Sequence, residues 1–147
     1  MGFDIIISSL TLIVASVTLL ITILNNKFNN KFLRTSEAYN DFYSDVIQKL
    51  YEYGFSEWKK HNNSDPEYKV FTQYLHRIEN FCACVNIGVY DYDTLCKISG
   101  LDIHYLYTKT LSVRDVISKS KTYYNFRILN EKICLSNNID PASISEE

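Results

Sequence analysis

An uncharged, predominantly apolar run extends from Ile5 to Leu24, in IIISSLTLIVASVTLLITIL, with no Gly or Pro and only Ser and Thr interrupting it; beyond Lys27 the apolar residues instead recur at three and four. At about 1.5 Å rise per residue a helix over the first run is roughly 30 Å long, the thickness of a bilayer's hydrocarbon core. The run predicts a transmembrane helix over 5–24. The neck at 25–35 is expected to continue it, because Phe28 and Phe32 are four apart with no breaker between them. From Ser36 to Lys60, Tyr39, Phe42, Tyr43, Val46, Ile47 and Leu50 lie on one face of an amphipathic helix that Gly54 weakens or ends. HNNSDPE reads as a loop, with Asp65 as N-cap and Pro66 at the first helical position. The helix after it presents Phe71, Tyr74, Leu75, Ile78, Phe81, Cys82 and Val85 and stops at Gly88, a left-handed cap.

Asp91 caps a short helix through Ile98, closed by Gly100. LDIHYLYTKTLSVRDVISKS has the β-branched and aromatic content of a strand, yet Ile103, Leu106, Tyr107, Leu111 and Ile117 suit a helix, which is the reading adopted. A last helix spans Tyr123 to Leu135, and the tail 137–147 is expected to fray. The predicted fold is all-α, with one N-terminal span and a helical domain over 36–136 of four or five helices.

Charge gives this architecture a direction. Lys27, Lys31 and Arg34 crowd the C-terminal flank of the span, while MGFD offers only Asp4 on the other side. The positive-inside bias predicts an inner (plasma) membrane protein with its N-terminus outside and its domain cytoplasmic. The same three cations are placed to meet anionic headgroups. A cleaved signal needs a basic leader and a small-x-small site, neither of which is present, so the segment is read as a retained signal anchor. Ile6 stands where a myristoylation motif wants Ser or Thr. In a reducing compartment the four cysteines are expected to be free thiols. The formal charge of −2 argues against nucleic acid as a partner.

Several residue groups raise the question of chemistry. Ser8, Thr11, Ala15, Thr18 and Thr22 fall at steps of three and four along the span. Small and hydroxyl residues so placed pack helices closely in lipid, which suits a homo-oligomer or another membrane protein as partner; the plainer reading is hydroxyls bonded to their own backbone. Cys82 and Cys84 point about 200° apart on a helix, and no Cys-x-x-Cys pair exists, so no metal centre is expected. His76 and Glu79 share a helical side, but no second helix repeats the pattern as a di-iron bundle would. Glu79, beside an apolar stripe, needs a partner: Arg127, Arg114 or a turn rich in backbone amides. Asp91 and Asp93 lack the further oxygen ligands of a calcium loop. Asp102 and His104 have no Ser or Cys obviously placed as nucleophile, and no Gly-rich phosphate loop occurs. No catalytic, cofactor or metal residue is assigned, and the chain is read as a non-enzyme.

The segments RTSEAYNDFYSDVIQKLYE, YLHRIENFCACVNIGVYDYDTL and KTYYNFRILNEKI, with Leu75, Glu79, Gly88 and Asp91 as landmarks, give the chain its likeness to known proteins. It resembles an uncharacterised bacterial family of small single-pass membrane proteins with a C-terminal cytoplasmic helical domain of unknown function. The resemblance implies the same architecture and carries over no reaction. The expected function is that of an adaptor or regulator, tethered to the bilayer and binding an unknown cytoplasmic protein through a Tyr- and Phe-rich surface. An oligomerising membrane effector, toxin-like or active in phage defence, and a cryptic enzyme are the alternatives.

Overall fold

The computed structural model describes residues 2–62, 64–113 and 121–140. Its elements are α1 (Gly2–Phe42), a π-helical turn (Tyr43–Ile47), α2 (Gln48–Tyr53), α3 (Phe55–Trp58), α4 (Pro66–Asn86), α5 (Tyr92–Ser99), α6 (Asp102–Val113), a 3-10 turn (Lys121–Tyr123) and α7 (Tyr124–Asn137). The described residues contain no strand, and the stretch that fitted either strand or helix is helical from Asp102 to Val113.

Helix α1 is one object with two environments. It is long and apolar enough to cross a membrane, and none of its apolar part is buried against the bundle. From Ser9 to Arg34 every side chain is exposed, and Thr35 is the first that is fully covered. Past that point the helix keeps only one apolar face, and Tyr39, Phe42, Val46, Ile47 and Leu50 enter the core. The neck at 25–35 lies inside α1, and the helical path continues through the π-turn to Tyr53. In the π-turn the Gln48 amide donates to the Tyr43 carbonyl. That looser turn holds Val46 and Ile47 inward and leaves Tyr43 exposed, which corrects the expectation that Tyr43 joins the buried face.

The core is closed around α4. Phe71, Leu75, Ile78, Phe81, Cys82 and Val85 form its buried face, α7 packs along it, and α6 packs on α7. Helix α5 lies against α1, and α3 against α6. Phe42 and Phe81 stack face to face, with centroids 4.3 Å apart and planes 3° from parallel, locking α1 to α4.

Local chemistry sets the ends of these helices. Gly54, at φ +87°, breaks the chain out of α2, and its carbonyl accepts from Glu57 and Trp58 to start α3. Asp65 stands at the N-cap of α4, but its carboxylate turns back to accept from the Asn62 amide at 2.8 Å, so the cap is positional and makes no side-chain bond to the helix. Gly88 ends α4 in a Schellman motif: Val89 N–H reaches the Cys84 carbonyl at 2.8 Å and Gly88 N–H that of Val85 at 3.1 Å. Asn138 performs the same turn after α7 with a left-handed backbone, so the ordered chain extends beyond Leu135. Residues 141–147 of the expected tail lie outside the described residues.

Gly88 has φ +79°, and a Cβ built there meets nothing within 4 Å, so the cost of a side chain is purely one of backbone conformation. Gly88→Ala is expected to lower stability by about 1–2 kcal/mol. Gly88→Asn should lose less, because Asn tolerates the left-handed region. Equal thermal midpoints for all three proteins would refute this role.

Candidate functional site

The junction between the exposed and buried halves of α1 carries the polar contacts that tie the apolar helix to the bundle. Thr35 hydroxyl donates to the Lys31 carbonyl one turn back and accepts from the Asp91 amide at 2.8 Å. The Asp91 side chain caps α5, accepting from the Thr94 amide at 2.9 Å and the Thr94 hydroxyl at 2.8 Å. Lys31 Nζ stands 3.6 Å from the other Asp91 oxygen. The bonds from Thr94, reinforced by Lys31, hold the Asp91 carboxyl below its ordinary value. Arg34 lies 6.0 Å from the centroid of the Tyr90 ring. Two of the three cations expected to face headgroups therefore also hold the α4–α5 turn onto α1, while Lys27 is exposed on the same helix.

Among the span's small residues, Thr11, Thr18 and Thr22 each donate to the carbonyl four residues back, at 2.8 to 2.9 Å. Their hydroxyls are satisfied within the helix, so any association through Thr11, Ala15, Thr18 and Thr22 would draw on close packing. The side chain of Ser8 lies outside the described residues.

Glu79 is held by the start of another helix. One carboxylate oxygen accepts from the Asn125 amide at 2.9 Å and the Asn125 side chain at 2.8 Å, and the other from the Phe126 amide at 2.9 Å. These are amides of the first turn of α7, whose donors have no partner within the helix and whose dipole favours a negative charge. Asn86, two turns further along α4, donates to the Asn125 carbonyl at 3.0 Å. The amide-rich turn considered for Glu79 is the partner seen among the described residues. Arg127 lies 3.9 Å from Glu131 and 5.7 Å from the Tyr124 ring centroid, and Arg114 lies outside the described residues.

The packing of α6 on α7 makes a contact that local sequence spacing did not bring out. His104 Nδ1 stands 3.0 Å from Asn130 Oδ1 and 3.2 Å from Cys134 Sγ, and all three residues are buried. A Cys beside a His suggests a nucleophile. Here burial, with Asp140 and Glu131 adding to it, pushes the Cys134 thiol up, the reverse of the activation such chemistry needs. The cluster fits a satisfied polar contact in the core, with Asn and His supplying each other's hydrogen bond. Its cue in the sequence was that His104 sits between apolar neighbours and that Asn130 and Cys134 are one turn apart on the buried face of α7. All four cysteines are free thiols, and no cluster of three or more metal-binding side chains occurs among the described residues.

One further polar pair organises the surface. Tyr39 donates to Asp102 at 2.6 Å, joining α1 to the first turn of α6. Burial, and then the Asp102 bond and charge, push the Tyr39 phenol far above its ordinary value. Tyr51 is raised by burial and by the nearby Asp102 and Tyr43. Tyr43, Tyr51 and Tyr105 are partly exposed, Tyr51 lies near both Tyr43 and Asp102, and Tyr105 follows Asp102 by one turn of α6. No protein-family model, curated protein or solved structure matches the chain.

Glu79→Gln leaves an amide of the α7 first turn without its charged acceptor and should cost about 1–3 kcal/mol. Arg77→Ala breaks only the exposed 3.0 Å pair with Asp45 and serves as control, at about 1 kcal/mol or less. Equal losses in chemical denaturation would remove the capping role. For Asp91, a folded-state pKa below the ordinary 3.8 means that its contribution is full above that value and is lost as pH falls through the folded pKa. The stability gap between wild type and Asp91→Asn should therefore be constant from pH 7 to 5 and shrink below pH 4. A gap that widens on acidification would contradict this sign.

Proposed function

We propose that the chain is a single-pass membrane protein with a C-terminal helical domain. Ile5–Leu24 would sit in the inner membrane, with the helical domain in the cytoplasm acting as a non-enzymatic adaptor or regulator of a protein partner. The observation that carries the proposal is the exposed apolar half of α1, continuous with the bundle's own core helix. An apolar helix exposed on all sides has no stable place in water, and a bilayer both covers its side chains and requires the internally satisfied backbone that a helix supplies. The polar junction at Thr35 and Asp91 fixes the bundle to the anchor.

The partner surface proposed is formed by the partly exposed Tyr43, Tyr51 and Tyr105 near Asp102, since tyrosine combines apolar area with a hydrogen-bonding tip and is enriched at interfaces. In the effector reading, the stripe of Thr11, Ala15, Thr18 and Thr22, which the bundle leaves uncovered, would assemble spans that disturb the bilayer.

The full chain should resist alkaline carbonate extraction, and a C-terminal alkaline phosphatase fusion should be inactive. A photocrosslinking residue at Tyr43, Tyr51 or Tyr105 should give one discrete adduct that the same residue at Gln73 on α4 does not. Extraction into the soluble fraction, or an active fusion, would overturn anchoring or orientation respectively. Membrane depolarisation by the full chain, with no adduct from the tyrosines, would replace the adaptor by the effector.

A further inference from the structure

We infer that the end of the bundle nearest the apolar half of α1 seats on the surface of the bilayer that holds the span, through Ile87 and Leu135. This rests on the membrane reading above and adds a second contact with lipid, made by the domain itself. Ile87 and Leu135 are 74 % and 75 % exposed, more than any other large apolar side chain among the described residues, those on the apolar half of α1 included. Single exposed apolar residues are ordinary on a soluble protein, whereas a group of them at one place marks an interaction surface.

The topology brings the two to one end. Along α4, Arg77 meets Asp45 and Phe81 meets Phe42, and beyond Gly88 the Asp91 amide meets Thr35. Helix α4 therefore runs antiparallel to α1 and finishes level with the junction. Helix α7 runs the same way, since Phe126 meets Glu79 in the middle of α4, while the Lys132 carbonyl and the Ser136 hydroxyl meet the Tyr92 hydroxyl beside Asp91. Ile87 closes α4 and Leu135 lies in the last turn of α7, so both stand near the level of Thr35. From that level the exposed Phe28, Phe32 and Leu33 of α1 lead down to the span. Tyr90 and Tyr92 stand at the same end, half-buried, and rings with a polar tip favour the headgroup level.

Charge does not drive this contact. Lys31, Arg34 and Lys132 at this end are offset by Asp91, Asp93 and Asp140, so apolar side chains carry it and no basic patch is needed. Height sets the remaining condition. Thr35 lies 11 residues beyond Leu24, so an upright α1 would hold it about 16 Å above the hydrocarbon, past a headgroup layer roughly 5–8 Å deep. Spanning helices tilt by about 20° on average and by up to about 40°. A tilt toward the bundle lowers Ile87 and Leu135 onto that layer, so the seated domain and the tilted span support each other.

Full-length protein in phosphatidylcholine vesicles would carry one added tryptophan at a time, from Val17→Trp, Ile87→Trp, Tyr92→Trp, Leu135→Trp or Gln73→Trp, with the emission of the native Trp58 subtracted. Bromine on the acyl chains should quench Val17→Trp; no quenching there would overturn the membrane reading itself. A nitroxide on the lipid headgroup should quench Ile87→Trp, Tyr92→Trp and Leu135→Trp about twofold more than Gln73→Trp, on the part of α4 far from the junction. Tryptophan itself favours the interface, so Tyr92→Trp is repeated together with Ile87→Ser and Leu135→Ser, and should then lose about half of its quenching. Added phosphatidylglycerol should change these values little. With Val17→Trp quenched, three results would each overturn the seating while the anchor stands: bundle sites no more quenched than Gln73→Trp, a Tyr92→Trp signal indifferent to the two serines, or a contact that requires phosphatidylglycerol. Blue-shifted but unquenched emission from Ile87→Trp and Leu135→Trp would overturn it as well, by placing a second copy or another protein on them.

Discussion

The backbone hydrogen bonds that run through α1, the π-turn and α2 without a loop are what the rest of the molecule depends on. They let a segment apolar on every side and a segment apolar on one face share a single rod. The first has all its backbone donors and acceptors satisfied internally, which is the condition for entering hydrocarbon. The second supplies Tyr39, Phe42, Val46, Ile47 and Leu50 to the core. Because no loop separates them, the bundle's orientation relative to the apolar helix is set by the helix itself and by the contacts at Thr35, Lys31 and Asp91.

Those contacts follow one physical rule. Helix starts leave amides unbonded, and this chain repeatedly answers them with a carboxylate. Asp91 serves its own helix, α5, and is tied back to α1 through its backbone amide. Glu79 reaches from the side of α4 to the start of α7. The acid that might have belonged to an ionic or metal arrangement thus works as a tertiary cap. A cap delivered from another helix fixes the register of two elements at once, which a local N-cap does not. Asn125 and Asn86 complete the same junction.

The helices were legible because apolar residues at three and four, broken by Gly54, Gly88 and Gly100, leave few other ways to bury the same side chains. Cap positions were legible for the same local reason. What each cap bonds to was less so, since Asp65 turned back to its own loop while Asp91 served its helix, a choice made by loop geometry over a few residues. Contacts between distant elements were least accessible. His104 with Cys134, and Tyr39 with Asp102, depend on how α6 settles against α7 and α1, and no local pattern encodes that angle. Glu79 showed that a carboxylate beside an apolar stripe needs a partner, while leaving two chemistries, a guanidinium or a turn of backbone amides, that would satisfy it. The π-turn was invisible, because Phe42, Val46, Ile47 and Leu50 suit a regular helix equally well.

That turn acts as a vernier between two sets of contacts. Upstream of it, Thr35 and Tyr39 must face α5 and α6; downstream, α2 must face α3, whose Trp58 indole donates to the Leu50 carbonyl. In a regular helix each residue advances the azimuth by about 100°, so fixing one set fixes the other. A turn closed by Gln48 onto Tyr43 takes in one more residue than an α-turn and resets the phase between them. A single inserted or deleted residue on either side would rotate the aromatic end of the rod against its apolar end, so the length of the helical path between Thr35 and Leu50 is constrained more tightly than its composition.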